Sequence, residues 1–378
     1  RLKCRPKHLW LYSSLTMNNN SLYIHIPFCK KKCAYCAFFS LCRPPVKLID
    51  DYFEAMSRQL TLLPETHFST VYFGGGTPTY AGTERCVKLL ELIAKQHKID
   101  SDAEITIEAN PATVSASELK QLRSSGFNRI SIGLQSASND VLSAMGRAHT
   151  VKDFTDCYER SLAAGFFNIS VDIIFGLPHE YGSGLDETLH LLQSLSPPHI
   201  SAYSLSVECG TRLYKQKGSL SFPDEGEEDE EYRAVCAAFS DYEHYEISSF
   251  AKTGFRSRHN SAYWNLTHYI GIGAGAHSFH DGKRFSYPCD VKLFIAKSTA
   301  PFGSSNYFDA AAETARDLDE ERIMLGLRTS DGALLSKEQG IKAQTAVKAG
   351  LAAFDGDRLI LNETGYRVSN EIIAEILA

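Results

Sequence analysis

The chain has 378 residues, 43% of them hydrophobic and 22% charged, and its 39 basic and 45 acidic side chains leave a formal net charge of −6. This length predicts about two or three domains, and the acidic balance argues against a protein that grips nucleic acid over a basic face. No apolar run reaches the ~20 residues that a membrane span needs, so we expect a cytoplasmic protein that is not integral to a membrane.

The first 16 residues form a basic extension, with Arg or Lys at positions 1, 3, 5 and 7 and no acidic residue before Asp50. A basic, acid-poor N-terminus is typical of a transit peptide. It is also what a start site set too early would produce, with Met17 as the true initiator. We favour this second interpretation because the first strand pattern begins directly at residue 21, and residues 1–16 are predicted to be a disordered or mis-set extension.

From residue 21 the chain alternates strand and helix patterns. Apolar and β-branched runs predict strands at 22–26, 70–73, 104–108, 129–134, 168–175 and 200–205. Apolar spacings of three and four predict helices at 47–62, 82–98, 115–124, 151–164 and 184–195. Ser115 with Glu118 forms a capping-box pattern, and Gly126 and Gly165 stand where helices end. Six strands separated by helices imply parallel pairing, in a doubly wound sheet or a partial (β/α)6 barrel, with chemistry at the carboxyl ends of the strands.

The pattern changes after residue 215. Acidic residues fill 224–231, before a helical pattern at 232–239, and carboxylates at a helix start more often form a solvated face than a metal site. Helices near 309–328 and 336–350, strands at 359–361 and 366–368 and a last helix predict a mostly helical, winged-helix-like accessory domain. We therefore divide the chain into a core at 17–215, an extension of that core at 216–300 and the accessory domain at 301–378.

Three cysteines are crowded into eight positions, as Cys29, Cys33 and Cys36 in the spacing C-x3-C-x2-C. Ten randomly scattered cysteines would give this triplet only about 0.007 times, so chance explains it poorly. Zinc prefers four ligands, typically in two pairs, and a disulfide would leave one thiol over. Three thiolates in one loop can instead hold three irons of a 4Fe-4S cluster and leave the fourth iron open. The cysteines without ligand spacing are predicted to be buried small hydrophobic residues: Cys42, Cys86, Cys157, Cys209, Cys236 and Cys289.

This triplet, with Tyr35 directly before the third cysteine, resembles the signature of radical S-adenosylmethionine (SAM) proteins. The resemblance covers roughly residues 21–378 and is closest to the oxygen-independent coproporphyrinogen III oxidase group, within it to the heme chaperones of the HemW type. It implies a partial (β/α)6 TIM-like barrel, with SAM chelated to the open iron of the cluster. It also implies an electron donor, since reduction of the cluster cleaves SAM to a 5′-deoxyadenosyl radical.

A glycine-rich segment, Gly74-Gly75-Gly76-Thr77-Pro78, follows the second predicted strand. Consecutive glycines let the backbone approach a ligand, and no Gly-Lys-Ser/Thr follows to make a phosphate loop; a plain turn is the alternative. The resemblance implies SAM contacts from Tyr23, Tyr35, Gly75, Gly76, Thr77, Glu108, Gln135, Arg147 and Asp172.

Two markers favour the chaperones over the oxidases of this group. Where those oxidases carry a further cysteine, this chain has Phe38, and His259 to Trp264 match the chaperones' H-N-x-x-Y-W motif. Imidazole can ligate heme iron and indole can stack on a macrocycle, so His259 and Trp264 are the candidate heme residues. A packed structural histidine is the alternative, with the next candidate ligands being His149, His179 and His277.

The resemblance implies a heme-binding chaperone that passes heme to an acceptor protein such as a membrane-bound respiratory haemoprotein. A homodimer is the assembly we expect from this resemblance. The alternative is an enzyme that oxidatively decarboxylates coproporphyrinogen III. Both interpretations require the cluster and SAM, and only the first requires heme.

Overall fold

The computed structural model describes residues 20–280, 282–302, 309–312 and 315–378. The extension at 1–16 and Met17, about which the sequence makes a prediction, lie outside these residues. None of the described helices is long and apolar enough to cross a bilayer.

The elements are numbered here in chain order. The strands are β1 (Asn20–Ile26), β2 (Phe28–Cys29), β3 (Leu41–Cys42), β4 (His67–Gly75), β5 (Lys98–Ala109), β6 (Arg129–Gln135), β7 (Asn168–Phe175), β8 (His199–Ser204), β9 (Glu243–Glu246), β10 (Ser249–Ala251), β11 (Tyr269–Ile272), β12 (His277–His280), β13 (Lys283–Ser286), β14 (Asp309–Ala312), β15 (Ala333–Leu334), β16 (Ala352–Asp355) and β17 (Arg358–Leu361). The helices are α1 (Val46–Leu62), α2 (Pro78–Ala81), α3 (Thr83–Gln96), α4 (Ala116–Ser124), α5 (Asn139–Ala144), α6 (Val151–Ala163), α7 (Leu185–Leu195), α8 (Arg212–Gln216), α9 (Glu225–Ala238), α10 (Arg258–Trp264), α11 (Val291–Lys297), α12 (Ala315–Gly326), α13 (Lys337–Lys342), α14 (Gln344–Lys348), α15 (Glu363–Arg367) and α16 (Ser369–Leu377). Short 3-10 helices occupy Pro111–Thr113, His179–Tyr181 and Lys217–Ser219.

Six parallel strands form the central sheet in the order β1-β4-β5-β6-β7-β8. A doubly wound sheet reverses its strand order at a switch point, whereas here the order in space follows the order in the chain. The strands at the two ends do not pair with each other, since β1 pairs with β11 and β8 with β10. The partial (β/α)6 barrel is therefore confirmed, and it is open.

The helices end and pack as local rules require. Ser115 and Glu118 complete the predicted capping box of α4, and Gly126 and Gly165 take positive φ angles of 109° and 92° after their helices. Ile93 of α3 and Leu192 of α7 are fully buried in the main core. Each such aliphatic side chain stabilises the fold by about 1.5–3 kcal/mol relative to an exposed one.

The region after the barrel extends both edges of this sheet. Strands β10 and β9 continue it beyond β8, while β11 to β14 continue it beyond β1. The helix predicted at 309–328 is wrong in its first part, because Asp309–Ala312 pair with β13 and the helix begins only at Ala315. Pairing with an open sheet edge overrides the helix propensity of three consecutive alanines. The main sheet therefore continues past residue 301, where we predicted a domain boundary, to β14.

A second hydrophobic core organises the C-terminal residues, with Leu327, Leu359 and Tyr366 among its members. Its antiparallel sheet has the order β15-β17-β16, and α12 to α16 pack around it, as a mostly helical winged-helix-like module would. The strand predicted at 366–368 is wrong: Asn362 caps α15 by accepting a hydrogen bond from Gly365 N at 2.9 Å. The helix predicted from 232 begins earlier, at Glu225, because Asp224 and the acidic first turn form a capping box.

Six of the seven cysteines outside the triplet lie in the described part of the chain, and half of these six are buried. Cys86, Cys157 and Cys236 are buried, as expected. The prediction is wrong for Cys42, Cys209 and Cys289, which are exposed. Cys42 lies on the two-residue strand β3, and the other two lie in loops.

Candidate functional site

A cavity of about 580 Å³ lies at the carboxyl ends of the barrel strands. Most of the residues that the sequence singled out line it: Cys29, Cys33, Tyr35, Cys36, Gly75, Gly76, Thr77, Glu108, Gln135, Arg147 and Asp172. The fold thus assembles in one place residues from six separate segments of the chain.

The cysteine loop is anchored at both ends and in its middle. Strand β2 pairs with β3, which sets Cys29 directly beside Cys42. Ala34 N donates to Met145 O at 2.9 Å, and Leu213 N donates to Ala34 O at 2.8 Å. These backbone bonds hold the loop over the cavity, so its three thiols face one space.

Burial disfavours the charged thiolate at Cys29 and Cys36 in the free protein. It raises the pKa of Cys29 to about 11, and it also raises the pKa of Cys36. A buried thiol becomes a thiolate when a cation binds to it and supplies the missing charge. Three half-buried thiols around one cavity therefore fit a group that brings several positive metal ions, as an iron–sulfur cluster does.

The glycine segment lies against the start of the cysteine loop. Gly76 N donates to Ile26 O at 2.9 Å and Thr77 N donates to Phe28 O at 2.8 Å. Gly75 has φ of 109°, and a Cβ there would lie 2.6 Å from the ring of His25. Only glycine fits this position without strain, so the segment brings bare backbone to the cavity wall beside the thiols.

Two half-buried carboxyls, Glu108 and Asp172, form a polar wall of the same cavity. Glu108 accepts hydrogen bonds from Tyr72 OH at 2.8 Å and from Gly75 N at 3.2 Å, and burial raises its pKa to about 7. Burial also raises the pKa of Asp172, which accepts from Ser131 Oγ at 3.1 Å. Arg129 lowers both pKa values without cancelling the effect of burial. This wall offers acceptors for ammonium and hydroxyl groups.

The remaining wall carries a strained residue and an incompletely bonded cation. Gln135 has φ of 71°, a left-handed conformation that costs a non-glycine residue on the order of 1–3 kcal/mol. Arg147 donates to Gly133 O at 2.9 Å and to Cys33 Sγ at 3.5 Å. Its Nε is buried and has no hydrogen-bond partner among the described residues. Strain and unmet hydrogen bonding in one cavity wall are typical of a binding site.

Several cavity residues were missed by the sequence reasoning. They are Tyr72, Arg129, Ser131, Ser170, Ser201 and Tyr203. A signal for them existed, because polar residues stand at alternate positions in otherwise apolar strands and so share the inner face of a barrel.

One predicted SAM residue, Tyr23, is not among the residues that line the cavity. Its hydroxyl donates to His25 Nδ1 at 3.0 Å, and its ring lies 6.0 Å from that of Tyr72. Tyr23 therefore lies behind the wall that Tyr72 forms. A SAM contact from Tyr23 stays a prediction.

The ring of His259 is buried, and in this structure neither of its nitrogens is free to ligate heme iron. Its side chain is 1% exposed, and burial lowers its pKa to about 3. Both ring nitrogens are already hydrogen-bonded at 2.8 Å, Nδ1 to Thr70 and Nε2 to Tyr263. Helix α10 presents the next residue, Asn260, to the cavity instead, while Trp264 is half-buried and does not line it.

The three alternative histidines differ in access. His149 is buried, and its Nε2 donates to Leu134 O at 3.2 Å. His179 is exposed and lies 3.4 Å from Glu227. His277 is exposed on β12. Of the three, His179 and His277 can reach a ligand from solvent.

Comparisons with known proteins identify the family of this chain. The model of the radical SAM superfamily matches residues 23–192. The heme chaperone HemW of Bacillus subtilis is 38% identical over 327 residues, which cover 82% of this chain and 84% of that protein. A zebrafish protein named "Radical S-adenosyl methionine domain-containing protein 1, mitochondrial" is 32% identical over 93% of this chain and 84% of its own.

Among solved structures, the coproporphyrinogen III oxidase HemN of Escherichia coli is similar over 95% of this chain and 90% of its own, with a TM-score of 0.80. At 21% identity, this similarity establishes the fold alone.

Proposed function

We propose that this chain, which belongs to the radical SAM superfamily and within it to the group of the HemW heme chaperones, binds a 4Fe-4S cluster, SAM and heme and transfers heme to an acceptor protein. The observation that carries the proposal is the convergence of three half-buried thiols, a bare glycine backbone and two half-buried carboxyls on one cavity. Relatives named as heme chaperones match most of the chain.

Each cavity segment has its own task in this proposal. Cys29, Cys33 and Cys36 hold the cluster, which when bound with SAM supplies one-electron chemistry. The backbone at Gly75 and Gly76 binds the methionine part of SAM. The remaining SAM contacts come from Tyr35, Thr77, Glu108, Gln135, Arg147 and Asp172.

The alternative function, oxidation of coproporphyrinogen III, needs the same cavity. One position favours the chaperone: Phe38 stands where the oxidases carry a further cysteine, and its side chain is 70% exposed beside the loop. An electron donor for the cluster and a heme acceptor are the partners proposed, and a homodimer stays a prediction. The cytoplasm also stays a prediction, while the zebrafish relative is named as mitochondrial.

Heme in this proposal takes its axial ligand from a solvent-facing imidazole, His179 or His277, rather than from His259. A buried ring with both nitrogens engaged would have to break two hydrogen bonds and leave the core before it could reach iron. That would leave Thr70 and Tyr263 unpaired, at about 1–3 kcal/mol for each buried polar group.

Cluster-loaded protein should take up heme with a Soret band, and single alanine variants should locate the ligand. Replacing His277 or His179 by alanine is expected to weaken heme binding at least about tenfold for whichever residue ligates the iron. His259→Ala should lower the melting temperature and leave heme affinity unchanged, as titration and a thermal melt would show together.

Two outcomes would contradict this account. Selective loss of heme in His259→Ala, with an unchanged melt, would restore His259 as the ligand. If anaerobic protein given SAM, reductant and coproporphyrinogen III forms protoporphyrinogen, the enzyme rather than the chaperone alone is correct.

Glu108 should make SAM binding depend on pH. Its pKa of about 7 lies above the ordinary 4.5, so its carboxyl is protonated below neutral pH and accepts fewer hydrogen bonds from the ribose. SAM affinity measured by calorimetry should rise as pH increases through about 7, and Glu108→Gln should remove that rise. The same shift means that the free energy of unfolding of the wild type falls as the pH rises from 4.5 to about 7. The folded protein holds the Glu108 proton more tightly than the unfolded chain does.

The matched control is Glu246→Gln. Glu246 is a carboxyl buried outside this cavity, and burial raises its pKa too. The Glu246→Gln variant should change how protein stability depends on pH. Its SAM affinity should depend on pH as that of the wild type does. A wild-type SAM affinity that is flat from pH 6 to pH 8 would show that Glu108 does not contact SAM.

A further inference from the structure

A second group of potential ligands lies away from the barrel cavity, where the C-terminal module meets the barrel extension. Cys236 is on α9, His244 on β9 and Glu363 at the start of α15. One ligand atom from each of the three lies within 4.8 Å of the other two. Three elements that are distant in the chain thus bring a thiol, an imidazole and a carboxylate to one point.

His244 is oriented as metal-binding histidines are. Its ring stacks on Phe250 at 4.1 Å and meets Tyr366 edge-on at 5.2 Å, so its plane is held. Its Nε2 lies 3.4 Å from Ile247 O and donates to it, which leaves the lone pair on Nδ1. That Nδ1 is buried and has no hydrogen-bond partner among the described residues. A buried nitrogen with an unused lone pair is costly unless something binds to it.

A small cavity of about 210 Å³ adjoins the group and is lined by Cys236 and Glu363. It leaves room for a solvent ligand. Two arginines also line it, Arg233 and Arg367, and both pair with Asp229, whose carboxylate offsets one of their two positive charges.

We propose that Cys236, His244 and Glu363 bind one Zn²⁺ ion, with a water molecule from the adjoining cavity as the fourth ligand. Thiolate, imidazole and carboxylate are ligands that zinc accepts together in a tetrahedral site. Tetrahedral zinc places such ligand atoms about 3.4–3.6 Å apart, so binding requires the exposed side chain of Glu363 to move toward the other two ligands. Binding releases the Cys236 thiol proton to solvent, and the two negative ligands then neutralise the ion.

The site would join the two cores of the protein. Cys236 and His244 belong to the elements that extend the barrel, while Glu363 belongs to the C-terminal module. A bound ion would therefore fasten α15 to α9 and β9, and it would stabilise the folded protein against unfolding by an amount that depends on zinc concentration.

The test measures zinc in full-length protein whose cysteine loop already holds its cluster. After exposure to Zn²⁺ and removal of loose metal with a weak chelator, elemental analysis should find one zinc per chain. Cys236→Ser and Glu363→Gln should each lower zinc affinity at least about tenfold. With Co²⁺ instead, the thiolate charge-transfer band should be present in the wild type and absent in Cys236→Ser.

Cys86→Ser is the matched control, since Cys86 is another buried helical cysteine that belongs to no such group. It should keep its zinc. Glu363 is exposed, so Glu363→Gln tests the site even if Cys236→Ser folds poorly. A wild type that retains no zinc, or zinc retained equally in Cys236→Ser and Glu363→Gln, would overturn the proposal. Neither readout depends on heme or SAM.

Discussion

Serine in place of Cys29, Cys33 or Cys36 should abolish the iron–sulfur cluster. Each change replaces a soft thiolate by a hard hydroxyl that binds iron weakly, and the cluster would keep only two protein ligands. We expect the broad visible absorption to disappear and bound iron and sulfide to fall to near zero after anaerobic reconstitution. Because the loop is held by the backbone bonds of Ala34, the circular dichroism of each variant should stay close to that of the wild type.

Cys42 provides the most stringent control for this prediction. It lies beside Cys29 in the pairing of β2 with β3 and is exposed, so it could substitute as a ligand if the loop rearranged. Cys42→Ser should nevertheless keep full iron content, as should Cys86→Ser in the core. Equal loss of iron in Cys42→Ser would mean that the ligand set is different from the triplet.

Valine in place of Gly75 should weaken SAM binding at least about tenfold while the cluster is retained. Valine at a φ of 109° is strained, and its Cβ would lie 2.6 Å from the His25 ring. Overpacking of this kind costs about 1–3 kcal/mol and would move the backbone that faces the ligand. Calorimetric titration with SAM and an iron assay on the same sample would measure both effects.

Gly254→Val is the control that distinguishes the effect of backbone strain alone from damage to the cavity wall at Gly75. Gly254 also has a positive φ, 84°, but nothing lies within 4 Å of its hypothetical Cβ. It should lose some stability and keep its SAM affinity. If Gly75→Val binds SAM as tightly as Gly254→Val does, the glycine segment is only a turn.

The motif from His259 to Trp264, predicted to bind heme, lies on α10 and contributes to the barrel cavity through a different residue. The backbone N–H groups of Arg258 and His259 donate to Glu104 at 3.1 and 2.9 Å, which fixes the start of α10 against the barrel. This places Asn260 at the cavity and His259 in the core. The motif thus helps to build the barrel wall, and in our proposal heme binds elsewhere.

What the sequence alone determined is the chemistry that depends on local order. The spacing of Cys29, Cys33 and Cys36 specifies a three-thiol loop whatever surrounds it. The alternation of strands and helices and the capping box at Ser115 are likewise local, because their hydrogen bonds and periodicities close within a few residues.

What only the tertiary structure decided depends on contacts between residues distant in the chain. The order of the strands in space distinguished the barrel from a doubly wound sheet. The hydrogen bond with Thr70, 189 residues away, and the one with Tyr263 engage both ring nitrogens of His259. Asp309–Ala312 form a strand because they pair with the edge of β13. The packing of α15 places Glu363 close to Cys236 and His244. Burial and the pairing of buried polar groups are properties of a residue's neighbours in space, and local sequence patterns do not specify those neighbours.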